Sequence, residues 1–127
     1  MQNDIVDKVK DYYDDTKDKE WERVAKDSYH KIEFYVTMEL LKKYLPKSGV
    51  VLDAGGGPGS YSIELCKMEF DTVLYDLSPG NIVLAKEKFD RQDDDIKNHM
   101  KAFCMGDIQD FSRFKDNEFD AAICLGC

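Results

Sequence analysis

The chain has 127 residues, 43% of them hydrophobic and 35% charged, with seven Phe, seven Tyr and one Trp. This suffices for one domain with a buried core, and no stretch approaches the roughly 20 apolar residues that span a bilayer. The net charge of −8 lacks the clustered basic footprint of a nucleic-acid binder, and the first residues show no basic-then-apolar leader. A cytoplasmic protein without membrane or nucleic-acid partners is therefore expected.

The first 30 residues carry two short apolar stripes at helical spacing. One is Ile5, Val6, Val9, Tyr12 and Tyr13; the other is Trp21, Val24 and Ala25. They predict two short helices that cover a core. Residues 31–45 predict an amphipathic helix, with Ile32, Tyr35, Val36, Leu40, Leu41 and Tyr44 on one face. Glu39 stands four residues before Lys43 on the polar side, a weakly favourable pair. Pro46 and Ser48-Gly49 close the segment. The acidic runs Asp14-Asp15 and Asp93-Asp94-Asp95 read as solvated loops or helix ends, because neither offers a spacing for converging metal ligands.

Val50-Val51-Leu52-Asp53 is an apolar run ending in an acid, and Gly55-Gly56-Gly57-Pro58-Gly59 follows it. This reads as a buried parallel strand, a tight turn and a helix start. Glycines allow positive φ and a close ligand approach. The helix start offers unpaired N–H groups, while Asp53 adds a negative charge. A loop carrying both signs suits a zwitterion better than a bare phosphate. Neither the dinucleotide pattern G-x-G-x-x-G nor the phosphate-loop pattern is met, because Ser60 stands at the third dinucleotide position and no Lys follows. The next helix is expected to turn Tyr61, Leu65 and Cys66 inward.

A second strand, 70–76, closes in another acid. Asp76, beside the glycine loop, is placed to accept both hydroxyls of a ribose, as in the dinucleotide fold. Ser78 reads as a helix cap with Pro79 at the first helical position, and Ile82, Ala85 and Phe89 face inward from that helix. Residues 90–98 either continue it or form a loop. Ala102-Phe103-Cys104-Met105 is a third strand, followed by Gly106-Asp107-Ile108. Residues 111–118 read as a short polar connection, and 119–126 as a fourth strand opened by a structural Asp120. Cys66 and Cys104 read as small buried hydrophobes. Cys124 and Cys127 form a C-x-x-C without the helix start or second ligand pair that redox or zinc chemistry needs, so the spacing is read as coincidence.

Three pieces in order, D-x-G-x-G-x-G at 53–59, D-x-S-P at 76–79 and Gly106-Asp107-Ile108, resemble the motifs of class I S-adenosylmethionine-dependent methyltransferases. The resemblance covers residues 31–127. It implies a doubly wound, mostly parallel α/β Rossmann-like sheet, cut short after about four strands of a seven-stranded family order 3-2-1-4-5-7-6. It divides the chain into an N-terminal helical cap, 1–30, and an incomplete cofactor-binding domain, 31–127. It implies S-adenosyl-L-methionine as cofactor. Asp53 would hold the methionine ammonium, and Gly55, Gly56, Gly57 and Gly59 would line the methionine end. Asp76 would take the ribose. Leu77 would lie against the adenine, with Asp107 accepting from its amine and the Ile108 N–H meeting a ring nitrogen. Leu125, with Gly126, would border cofactor and acceptor. Tyr12, Tyr13, Trp21 and His30 become lid candidates, Tyr13 toward the cofactor and His30 toward the acceptor. No catalytic base is assigned and no metal is implied.

The expected function is methyl transfer to a small-molecule acceptor. The alternative is a cofactor-binding module or fragment that transfers nothing. A fourth strand with one bare edge is an association hazard, so the chain is read as part of a longer protein or as a homo-oligomer paired through that edge.

Overall fold

The computed structural model of the chain describes residues 19–125. By its internal contacts the chain divides between Leu45 and Pro46 into two compact units. In the first, helix α1 runs unbroken over Lys19–Tyr44. The two-helix expectation for the first 30 residues, with a separate helix from 31, therefore does not hold across residue 30. The reason is local: the segment contains neither Pro nor Gly, and Ser28-Tyr29-His30 lowers helix propensity without breaking the ladder. Lys42 and Lys43 in the last turn complement the helix dipole. Glu39 pairs with Lys42 at 3.8 Å rather than with Lys43, whose ammonium lies 5.2 Å from the Tyr44 ring centroid. Ile32, Tyr35, Val36, Leu40 and Tyr44 of the predicted face are exposed.

The second unit is an α/β sheet. Its elements in order are β1 (Val50–Ala54), α2 (Ser60–Lys67), β2 (Asp71–Asp76), α3 (Pro79–Asp90), α4 (Asp94–His99), β3 (Met100–Met105) and β4 (Ala121–Ile123). The strands are all parallel, in the order β3-β2-β1-β4. That order reproduces the first four positions of the expected family sheet. Residues 94–99 form their own short helix, capped by Asp93, whose side chain accepts the Ile96 N–H. The polar run thus neither extends α3 nor stays a loop.

Side chains alternate across a strand, and this sorts the core into two faces. Leu52, Ala54 and Tyr75 form one cluster, packed by Val73, Cys104, Ile108, Phe114 and Phe119. On the other face Leu74 packs with Ile82 and Ala85, and Ile63 and Cys66 pack with Phe89. Asp53 and Asp76 share the register of Leu74 and so point to the helix-covered face. The inward positions of α3 are as expected. In α2, Leu65 and Cys66 are buried, Tyr61 is only half-buried, and Ser62 and Ile63 are buried beside them. Cys104 is half-buried rather than buried.

The connection 111–118 is a correction to the polar reading. Phe114 stacks edge-on against both Tyr75 and Phe119, at 5.1 and 5.2 Å between centroids. Phe111 lies tilted against Tyr75 at 5.8 Å. Two phenylalanines among charged residues are enough to dock a loop on a sheet, because an aromatic ring buries a large area with few rotatable bonds. The fourth strand is shorter than its apolar run. Asp120 precedes it, as expected of a structural residue: its carboxylate accepts the Val50 N–H at 2.8 Å, and its own N–H donates to the Val50 carbonyl.

Candidate functional site

In an all-parallel sheet every carboxyl end lies on one side, so the loops after β1, β2, β3 and β4 share it. Ligands of open α/β sheets bind there. The glycine loop after β1 is fastened to the end of β2, because the Gly55 N–H donates to the Tyr75 carbonyl at 2.7 Å. The Gly106 N–H donates to the Asp76 carbonyl at 3.0 Å and brings the loop after β3 to the same point. Asp53, Gly55, Gly56, Gly57, Gly59, Asp76, Leu77, Asp107 and Ile108 thus sit on loops and strand ends that meet at β2. Leu125 is half-buried and follows β4, which pairs with β1 up to Asp53↔Ile123.

The loop backbone needs its glycines. Gly55, Gly57 and Gly59 have φ of 66°, 57° and 89°, a region costly for residues with a Cβ. Gly56 needs closeness instead: a Cβ there would lie 2.8 Å from Asp53 Oδ2 and 3.0 Å from Leu74 Cγ. A Cβ on Gly57 would meet nothing within 4 Å, so the loop is open above this residue. Gly59 caps α2 without a side-chain bond, and the first turn of α2 holds no acid. One donor of this helix start, the Ser62 N–H, serves the Asp53 carboxyl.

Asp76 is a clasp. Its Oδ1 accepts the Gly57 N–H at 3.0 Å; its Oδ2 accepts the Ser78 N–H at 3.0 Å and the Asn81 side-chain amide at 3.2 Å. A carboxylate has about four lone-pair sites, so acceptor capacity remains for a ligand hydroxyl. Ser78 caps α3 by accepting the Asn81 N–H, with Pro79 at the first helical position, as expected.

Asp53 is only 1% exposed. Its Oδ2 accepts the Ser62 hydroxyl at 2.7 Å. Burial pushes its carboxyl up to about 6, with the nearby Asp76 charge adding to the rise and the Ser62 hydrogen bonds opposing it. Two carboxylates from neighbouring strands thus flank one glycine loop, and the Asp76 charge raises the cost of ionising Asp53. A cation between them relieves that cost, whereas a phosphate adds to it.

Leu77 is 65% exposed beside Asp76, an apolar surface open to a flat ligand. The Asp107 carboxylate is exposed and accepts the Gln109 N–H at 2.9 Å, which shapes its loop. The Ile108 side chain packs on the sheet cluster, leaving its backbone to any ligand contact. Tyr12 and Tyr13 lie outside the described residues, and His30 is exposed with its ring edge-on to Tyr29. Cys124 is disulfide-bonded, and Cys127 lies outside the described residues. Among the described residues no group of three His, Cys, Asp or Glu side chains is placed to hold a metal.

The sequence reading missed Ser62, Asn81 and Tyr75. Ser62 lies three and four residues before Leu65 and Cys66, so helical spacing alone puts it on the buried face. Asn81 follows the cap of α3 by one turn. The Tyr75 hydroxyl donates to the carbonyls of Asp107 and Asp110 at 3.0 and 2.8 Å and ties down the third loop; nothing local in the sequence signals it.

Residues 51–127 match the family model described as a methyltransferase domain. No curated protein matches the chain. Among solved structures, a protein of Pyrococcus horikoshii OT3 is 30% identical with a TM-score of 0.63, over 73% of this chain and 41% of its own. A structure titled as one of the SAM-dependent methyltransferases, from Methanosarcina mazei, is 28% identical with a TM-score of 0.56, over 65% and 39%. A Methanococcus maripaludis protein shares the fold at 22% identity with a TM-score of 0.64, over 85% and 48%. The chain spans less than half the length of each.

Proposed function

The chain belongs to the methyltransferase-domain family, and from that premise we propose that it is the S-adenosyl-L-methionine-binding part of an enzyme that methylates a small-molecule acceptor. The observation that carries the cofactor is the pair Asp53 and Asp76 around one glycine loop. S-adenosylmethionine brings a sulfonium and an ammonium against a single carboxylate, so it enters as a net cation. A nicotinamide dinucleotide brings a pyrophosphate, which this pair repels.

Asp53 faces the methionine end. The glycines line that end with backbone, and the open space at Gly57 gives the ligand room. Asp76 accepts a ribose hydroxyl with the capacity left by Gly57, Ser78 and Asn81. Leu77 lies under the adenine, with Asp107 and the Ile108 N–H on its polar edge and Leu125 at the border. The bound cofactor supplies an electrophilic methyl group; the chain's own task is to orient it and keep water from its acceptor side. No helix of the described residues is long and apolar enough to cross a membrane, and we place the enzyme in the cytoplasm. Among the described residues β4 ends the sheet, and our reading pairs it with further chain or a second copy, which mass in solution separates.

Amide chemical-shift mapping tests the assignment. S-adenosylmethionine is expected to move Gly55–Gly59, Asp76, Leu77, Asp107 and Ile108. Shifts confined to α4 and the start of β3, at the opposite end of the strands, would reject the site.

A further inference from the structure

Asp53 lies in the proposed cofactor site, yet among the described residues it owes its hydrogen bonds to a residue that touches no ligand in that reading. Ser62 is fully buried. Its hydroxyl donates to Asp53 Oδ2 at 2.7 Å, and its backbone N–H also supports the carboxyl. A helical serine can instead bond the carbonyl one turn back; this one is turned across to the neighbouring strand. Gly56 closes over the same oxygen, within the space a Cβ would need. The carboxyl is therefore held between α2 and the glycine loop.

The other groups around Asp53 do not help it ionise. β2 contributes the Asp76 charge, which opposes ionisation. β4 contributes the apolar Ile123 opposite Asp53 in the ladder, and α2 contributes Ser62. Without the two Ser62 donors, a carboxyl this deeply buried beside another acid favours its neutral form. A neutral acid has no charge to offer a ligand ammonium.

We infer that Ser62 is a positioning residue, which keeps Asp53 ionised and aimed at the glycine loop so that the site selects a nucleoside carrying an ammonium. The inference rests on the cofactor reading above and adds the residue that sets its selectivity. Ser62 acts through Asp53 and touches no reacting atom.

The test compares two ligands on the 127-residue chain from pH 5 to pH 8. S-adenosylmethionine carries the amino-acid end; 5′-methylthioadenosine lacks it. Ser62→Ala is expected to weaken the first about tenfold near neutral pH, which is about 1.4 kcal/mol and in the range of a hydrogen bond to a charged group. It is expected to leave the second unchanged and to move the midpoint of the pH profile upward. In an Asp53→Asn background the same substitution should no longer alter the ratio of the two affinities. The Asp53 carboxyl resonance, followed by carbon NMR without ligand, should titrate at higher pH in Ser62→Ala. Equal weakening of both ligands, or an unmoved Asp53 titration, would overturn the role and leave only packing for Ser62. Wild-type protein that binds neither ligand would overturn the cofactor reading and this inference with it.

Discussion

Replacing Asp53 by Asn should stabilise the ligand-free chain, and only above a definite pH. Asp53 is raised from the ordinary 3.8 to about 6, chiefly by burial. A raised carboxyl binds more protons folded than unfolded between those values. Stability therefore falls as pH rises through that window, and the full cost is present above about pH 6. The displacement corresponds to about 3 kcal/mol at 1.36 kcal/mol per pH unit. Asn is nearly isosteric, carries no charge at any pH, and still offers an oxygen to the Ser62 hydroxyl. Urea unfolding at pH 7.5 should then show Asp53→Asn more stable by about 2–3 kcal/mol, and at pH 4 nearly equal to wild type. The same variant should lose affinity for S-adenosylmethionine, the trade of a strained functional acid for stability. An Asn variant that is less stable by the same amount at both pH values would refute the reasoning. Asp53 would then be an ordinary hydrogen-bond partner.

Three further substitutions probe the frame around the site. Gly57→Ala meets no neighbouring atom but must hold φ near 57°; it should cost only about 1 kcal/mol in stability while lowering cofactor affinity at least tenfold by calorimetry. Tyr75→Phe removes the hydroxyl that ties down Asp107 and Asp110; it should cost about 1–3 kcal/mol and speed amide exchange at residues 107–110. Asp120→Ala frees the Val50 N–H and should cost about 1 kcal/mol in denaturant unfolding with cofactor affinity little changed.

The sheet was legible in the sequence because each of its strands is an apolar run closed by a turn or an acid. Val50-Val51-Leu52-Asp53 and the run ending in Asp76 both read this way, and both form parallel strands. Ser78-Pro79 announced the start of α3 by chemistry that is entirely local. What failed was tertiary or cumulative. The break expected near residue 30 needed a helix breaker, and α1 has none. The polar reading of 111–118 averaged over charges and overlooked Phe111 and Phe114, whose value depends on Tyr75 across the sheet. Ser62 and Asn81 were passed over because their partners, Asp53 and Asp76, lie nine and five residues away and meet them only once strand and helix are packed. The acids and glycines of the candidate site were legible as a motif, whereas the Asp76 clasp and the pinned Asp53 carboxyl required the fold.

The most direct measurement is calorimetric titration of the 127-residue chain with S-adenosylmethionine, with NAD as control and Asp76→Ala alongside. Saturable binding of S-adenosylmethionine is predicted, lost in Asp76→Ala and at least tenfold tighter than NAD. Tighter binding of NAD, or S-adenosylmethionine binding that survives Asp76→Ala, would contradict the account.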